Sequence, residues 1–228
     1  MLLYTSNKKH MIELPDFSKN WEYENGFYLT CDNSRLGKIL AHYELFKIAK
    51  DLPGAIVECG IFKGASFVRF AGFRDLLSNP NSHKIIGFDT FGAFPPSTLK
   101  EDAVHIKHWV ENAGPQSISK VQLQEVLQKK GITNTELVEG DVVETVPAYV
   151  AKNPDLQISL LNLDTDIYDP AVTILEHLWP RIVRGGVLIL DDYGVFPGET
   201  KAVNDYFKGA AKIQKFPFAM TPCYVIKE

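Results

Sequence analysis

Short apolar runs in this chain of 228 residues end repeatedly in a carboxylate. Glu58 precedes Cys59-Gly60 in the first, and Asp89 closes the second. Gly140-Asp141 follows the third, Asp164 the fourth, and Asp191-Asp192 the fifth. One Asp after an apolar run caps a helix or opens a turn. Repetition at every run points instead to a shared acidic rim. The turn after the first run reads Glu58-Cys-Gly60-Ile-Phe-Lys-Gly64-Ala-Ser66. Its two glycines let a ligand approach the backbone, and the helix start that follows offers free N–H groups to an anion. The spacing is neither G-x-G-x-x-G nor G-x-x-x-x-G-K-[ST], which disfavours a pyrophosphate or triphosphate cradle. A smaller ligand with a carboxylate suits it better.

Glu58 beside the first glycine can hold an ammonium or hydroxyl group. Asp89 can accept from a ribose diol, and Gly140-Asp141 can receive an adenine amino group. An aminoacyl nucleoside, S-adenosylmethionine, makes all of these demands. Asp164, Asp191 and Asp192 form a separate set. One helix and one strand separate Asp164 from Asp191, so the two tips are expected to be neighbours. Three carboxylates there repel one another unless a cation lies between them, and hard oxygen ligands suit Mg²⁺, less often Ca²⁺ or Mn²⁺. The alternative for Asp192 is a cap on the following turn.

The elements that must position these groups alternate. Leu36, Ile39, Leu40, Tyr43 and Phe46 recur at helical spacing until Pro53-Gly54. Apolar strand candidates at 55–57, 84–88, 136–138, 158–163 and 186–190 follow, with helices near 65–77, 143–152, 170–179 and 200–208. Residues 213–218 and 223–226 read as a closing hairpin. Nearly continuous apolar strands are buried on both faces, which predicts a mainly parallel sheet. The expected fold class is α/β, a Rossmann-like doubly wound, seven-stranded sheet with an antiparallel C-terminal strand. Residues 1–34, with Tyr4, Phe17, Trp21, Tyr23, Phe27 and Tyr28, show no period and read as an irregular arm or lid. Residues 35–228 read as one domain.

Composition limits the function classes. Hydrophobic residues are 45% and charged residues 23%, as in globular proteins, and 24 basic against 28 acidic side chains leave a net charge of −4. A duplex-binding protein would carry a basic surplus, so no nucleic-acid partner is expected. No apolar run reaches membrane-spanning length and no secretory signal is visible. Cys31, Cys59 and Cys223 form no CxxC pair, which suits a reducing compartment. A cytoplasmic location is expected, with no membrane partner.

The ordered motifs resemble a known family. Val57-Glu-Cys-Gly-Ile-Phe-Lys-Gly-Ala-Ser66, Gly87-Phe-Asp-Thr-Phe91, Leu163-Asp-Thr-Asp-Ile-Tyr168 and Gly185-Gly-Val-Leu-Ile-Leu-Asp-Asp-Tyr-Gly194 are similar to those of macrocin-type sugar O-methyltransferases. These are metal-dependent members of the class I methyltransferase fold. The resemblance runs from about Ser34 to Lys208. It implies that Glu58, Gly60 and Ser66, with Lys63, hold the methionine part of S-adenosylmethionine. It also implies Asp89 and Phe91 at the ribose, Asp141 and Val142 at the adenine, and Asp164 beside the donor. Asp164, Asp191 and Asp192 would hold Mg²⁺ or another divalent cation. Thr165, Asp169 and the Gly-Ala-Phe-Pro-Pro stretch after Phe91 depart from the family pattern and bear on the acceptor.

The expected reaction is methyl transfer to a hydroxyl of a small acceptor, a sugar or glycosylated natural product. Asp164 is the first candidate for the base; His105 and His108, between the second and third strands, are the others. Tyr168 is a candidate for the acceptor pocket. The alternatives are a catechol-like acceptor, a non-catalytic binder of the donor and an NAD-dependent oxidoreductase. A homodimer is a further expectation.

Overall fold

The apolar runs pair into a sheet whose register levels their C-terminal ends. The computed structural model describes residues 11–228, so Tyr4 and the first ten residues of the expected arm lie outside the described residues. Strands β1 (Ala55–Cys59), β2 (Ile85–Asp89), β3 (Thr135–Glu139), β4 (Ile158–Leu163), β5 (Ile182–Leu190), β6 (Gln214–Lys215) and β7 (Cys223–Ile226) lie in the order β3-β2-β1-β4-β5-β7-β6. The first five are parallel, and β7 runs antiparallel to β5 and β6. Cys59 pairs with Phe88 of β2 and Leu163 of β4, and Leu163 pairs with Leu190 of β5. The residues that follow, Gly60, Asp89, Asp164 and Asp191, therefore stand along one edge. This edge, outside the carboxyl ends of parallel strands, is where open α/β sheets bind ligands.

Helices cover both faces. They are α1 (Asn20–Thr30), α2 (Asn33–Ala49), α3 (Ala65–Leu77), α4 (Lys100–Ala113), α5 (Lys120–Lys129), α6 (Val142–Lys152), α7 (Tyr168–His177) and α8 (Pro197–Phe207). The strands sort alternate side chains to opposite layers. Val57, Leu161, Leu188 and Leu190 pack with α6, α7 and α8. Ile56, Leu160, Val187 and Ile189 pack with α2, α3 and α5. Glu58 shares the parity of Ile56 and so points into the α2–α3 layer.

Two expectations change. The segment read as an irregular arm contains α1, and the boundary placed at residue 34 falls in the first turn of α2. α1 buries no residue, so its sequence carries no apolar stripe to reveal a period. α2 begins at Asp32, whose side chain accepts from the Ser34 N–H. The helices expected near 170–179 and 200–208 start earlier, at Tyr168 and Pro197; Pro197 occupies a first-turn position, where its missing N–H costs no helical hydrogen bond. Among the described residues, no helix is long and apolar enough to cross a membrane.

Candidate active site

A cavity of about 340 Å³ opens at the strand tips. The first turn supplies one wall. Gly60 and Gly64 both have positive φ (91° and 84°), and Ser66 and Lys63 line the cavity beside them. Asp89 organises this wall. One carboxylate oxygen accepts from the Ile61 N–H (2.8 Å) and the Phe62 N–H (3.0 Å), and the other accepts from the Phe91 N–H (2.6 Å). Phe62 and Phe91 both have positive φ, near 50°, a costly conformation for a bulky residue. Three charge-assisted bonds to one carboxylate offset that cost. A carboxylate offers about four acceptor positions, so about one remains for a ligand. Asp141 also lines the cavity and caps α6 by accepting from the Val143 N–H (2.9 Å). Val142 follows it in the lining.

Two of the expected donor-site residues lie outside the lining. Glu58 is fully buried beneath the turn, where its Oε1 accepts from the Asn162 amide (3.0 Å) and its Oε2 has no partner. Burial pushes its carboxyl up to about 7, against the lowering influence of the nearby Ser66 hydroxyl and the Asn162 amide. Phe91 is buried among Ile61, Phe67 and Ile118. Its backbone shapes the turn while its ring belongs to the core.

The acidic wall differs from the expected trio. Asp164, Asp166 and Asp192 each present an oxygen within 4.8 Å of the others. Asp191 is fully buried and both of its oxygens are engaged, one by the Lys38 ammonium and the other by His42 Nε2 at 3.2 Å. Asp166 takes its place in the cluster because positive φ (63°) reverses the chain after Asp164-Thr165. Glu199, also fully buried, accepts from the Asp192 N–H through Oε1 (3.1 Å). Burial first, then the neighbouring carboxylates, raises the carboxyls of Asp164, Asp192 and Glu199 well above their ordinary range and Asp166 to about 7. Burial opposes the Lys38 charge, but Asp191, Asp164 and Asp192 together hold its ammonium firmly protonated. Lys38 in turn keeps Asp191 ionised against its own burial.

The stretch between β2 and β3 closes the cavity. Asp102 of α4 is fully buried and accepts from the Ser97 hydroxyl (2.6 Å) and the Tyr168 N–H (3.1 Å). Thr98 donates to Asp169 through its N–H (2.9 Å) and hydroxyl (2.6 Å). No β-carbon fits at Gly198, because the Asp102 carboxylate packs against it. Anchored in this way, the segment presents Phe94 and Trp109 to the cavity, and Phe27 of α1 joins them.

His105 and His108 do not reach this space. The inward stripe of α4 is Asp102, Ile106, Trp109 and Ala113, which leaves both histidines exposed. His105 packs near Phe196 in a separate shallow cleft, and the His108 ring lies beside the Asn112 amide (3.4 Å). Tyr168 is also displaced: its hydroxyl donates to Asp205 (2.9 Å) on α8, away from the cavity. Sequence reading missed Arg35, Lys38, His42 and Arg69. Lys38 and His42 recur at helical spacing on the inward side of α2, where a polar residue on a core-facing stripe is itself a signal, and the exposed Arg35 lies one turn earlier at the cavity. Arg69 follows Ser66 by one turn of α3 and lines the same cavity.

A profile described as Macrocin-O-methyltransferase (TylF) matches residues 29–220. The chain is 25% identical over 162 residues to 8-demethyl-8-(2,3-dimethoxy-alpha-L-rhamnosyl)-tetracenomycin-C 4'-O-methyltransferase of Streptomyces olivaceus, covering 70% of this chain and 60% of that protein. It is 25% identical over 160 residues to mycinamicin III 3''-O-methyltransferase of Micromonospora griseorubida, covering 68% and 61%. The chain thus spans about 60% of the length of these curated relatives. Among solved structures, the calicheamicin methyltransferase CalS11 superposes with a TM-score of 0.74 at 28% identity, over 90% of this chain and 84% of that one. The O-methyltransferase NovP shares the fold, with a TM-score of 0.68 at 20% identity over 85% and 79% of the two chains.

Proposed function

Since the chain belongs to the macrocin O-methyltransferase (TylF) family, we propose that it transfers a methyl group from S-adenosylmethionine to a hydroxyl of a sugar or glycosylated small molecule, assisted by Mg²⁺. One observation carries this reading. The glycine turn suited to the donor and the acidic cluster suited to a cation line the same cavity. Gly60, Lys63 and Ser66 would receive the methionine part, Asp89 the ribose, and Asp141 with Val142 the adenine. Glu58 would act from beneath, through Ser66.

The acidic residues fit a divalent cation. Asp192 Oδ2 is buried with no hydrogen-bond partner, and its neighbours are hard oxygen donors. Asp164 and Asp192 would hold the cation with Asp166; Asp191 joins only where Lys38 releases it. When bound, the cation would lower the pKa of a hydroxyl that touches it. The donor brings an already activated methyl group, so the chain has to place and deprotonate the acceptor. Asp164 takes the hydroxyl proton on a carboxylate oxygen, a step of the kind that contributes ~10²–10⁴-fold. Phe27, Phe94 and Trp109 exclude water from the reacting atoms.

The relatives point to a deoxysugar as the probe. CalS11 is described as a TDP-rhamnose 3'-O-methyltransferase, and the Streptomyces olivaceus relative's name contains a rhamnosyl group. The test is transfer of a tritiated methyl group from the donor to TDP-rhamnose, a rhamnoside or catechol. Label in a sugar hydroxyl supports the reading. Label in catechol alone, or in none of them, overturns it.

A further inference from the structure

His42 is fully buried in α2, where its ring stacks on Phe70 at 4.9 Å between centroids, with 18° between planes. Its two nitrogens face opposite partners. Nδ1 lies 3.0 Å from Arg69 Nη1, and Nε2 lies 3.2 Å from Asp191 Oδ1. A guanidinium has donors and no acceptor. Nδ1 must therefore present its lone pair to Arg69, which leaves the ring proton on Nε2, directed at Asp191. The two contacts choose the tautomer between them. Lys38, one turn before His42 on the same helix, takes the other oxygen of Asp191. Each oxygen of Asp191 is thus fixed by a donor from α2.

We propose that His42 is a positioning residue: with its tautomer set by Arg69, it orients Asp191 and ties the glycine-turn side of the cavity to its acidic side. Nothing in the family motifs of the strand tips includes it. The role deepens the reading of the site given above and rests on it. Partners that orient an acidic cluster from behind typically carry 10–100-fold in metal affinity or activity.

The experiment has two arms, both on the full chain. In the first, nitrogen-15 NMR of the cation-free protein reads the His42 tautomer. A neutral ring protonated on Nε2 is expected; a ring protonated on Nδ1, or on both nitrogens, overturns the proposal. In the second, Mn²⁺ binding is measured by electron paramagnetic resonance for wild type, His42→Phe and His42→Gln. Phe keeps the stacking on Phe70 and removes both polar contacts, whereas the Gln amide can accept from Arg69 and donate to Asp191. The expected result is a loss of about 10-fold or more in Mn²⁺ affinity for His42→Phe, recovered to within about 3-fold by His42→Gln. Equal affinity in His42→Phe and wild type, or a Gln variant as weak as the Phe variant, overturns it. Should His42→Phe fail to fold, the tautomer in the unaltered chain decides alone. A wild type that binds no Mn²⁺ contradicts the proposed cation, and the NMR arm still decides the hydrogen-bond relay.

Discussion

Gly60 and Asp164 meet backbone to backbone: a β-carbon on Gly60 would overlap the carbonyl oxygen of Asp164. The glycine turn after β1 and the first acid after β4 are therefore held in direct contact, and their ladder continues through the Asp164 N–H to the Cys59 carbonyl (3.0 Å). This contact keeps the donor side and the acidic side of the cavity at a fixed separation. Gly60→Ala would add both a clash and a side chain at φ 91°. A loss of ~3 kcal/mol or more in stability is expected, with donor binding lost as well. Thermal melting and calorimetry with S-adenosylhomocysteine check the two effects.

Asp89 has more than one task. From sequence alone, Asp89→Ala would weaken donor binding and leave the fold untouched. The three backbone N–H groups it serves change that expectation. Removing the carboxylate strands those donors next to two bulky residues at positive φ, so stability falls by ~2–4 kcal/mol alongside donor affinity. A melting temperature unchanged in Asp89→Ala would contradict this structural role.

The acidic wall predicts unequal effects from neighbouring acids. Asp166→Asn removes a member of the cluster, and Mn²⁺ affinity is expected to fall at least tenfold. Asp191→Asn leaves the oxygens of the cluster in place but removes the charge that His42 orients and frees Lys38, so its loss should match the roughly tenfold loss of His42→Phe and stay below that of Asp166→Asn. Equilibrium Mn²⁺ titration of both variants checks the order. The reverse order would restore Asp191 as a ligand and move Asp166 outside the set.

Much of this site was legible because strand tips announce themselves. Apolar runs such as 158–163 and 186–190 end at the acid where the sheet ends, and the parallel register then levels the tips. The side-chain roles were less legible. Asp191 and Asp192 are adjacent in sequence, yet one faces Lys38 and the other the cluster, a division set by α2 and invisible from β5 alone. Tyr168 follows Asp166, whose positive φ turns the chain and carries the ring away toward Asp205. His105 and His108 sit one position off the inward stripe of α4. α1 buries nothing, so no hydrophobic period marked it.

Stability should depend on pH through Glu58. Burial raises its carboxyl to about 7 in the folded chain, from an ordinary 4.5. Below about 4.5 both folded and unfolded chains hold the proton, and its contribution is fully present. Between the two values only the folded chain holds it, so stability falls as pH rises and the contribution is gone above about 7. The loss is on the order of 3 kcal/mol for this group. Glu58→Gln should flatten the decline, as read from denaturant midpoints at pH 5 and pH 8 in chelator. A decline equally steep in the variant would assign it to other carboxyls.

The most direct measurement is a crystal structure grown with S-adenosylhomocysteine and Mn²⁺, with the ion located by its anomalous scattering. The account predicts one manganese peak among Asp164, Asp166 and Asp192, in the same cavity as the donor product, with the product's sulfur facing the acidic wall. A peak elsewhere in the molecule, or the product bound away from the Gly60 turn, would contradict it.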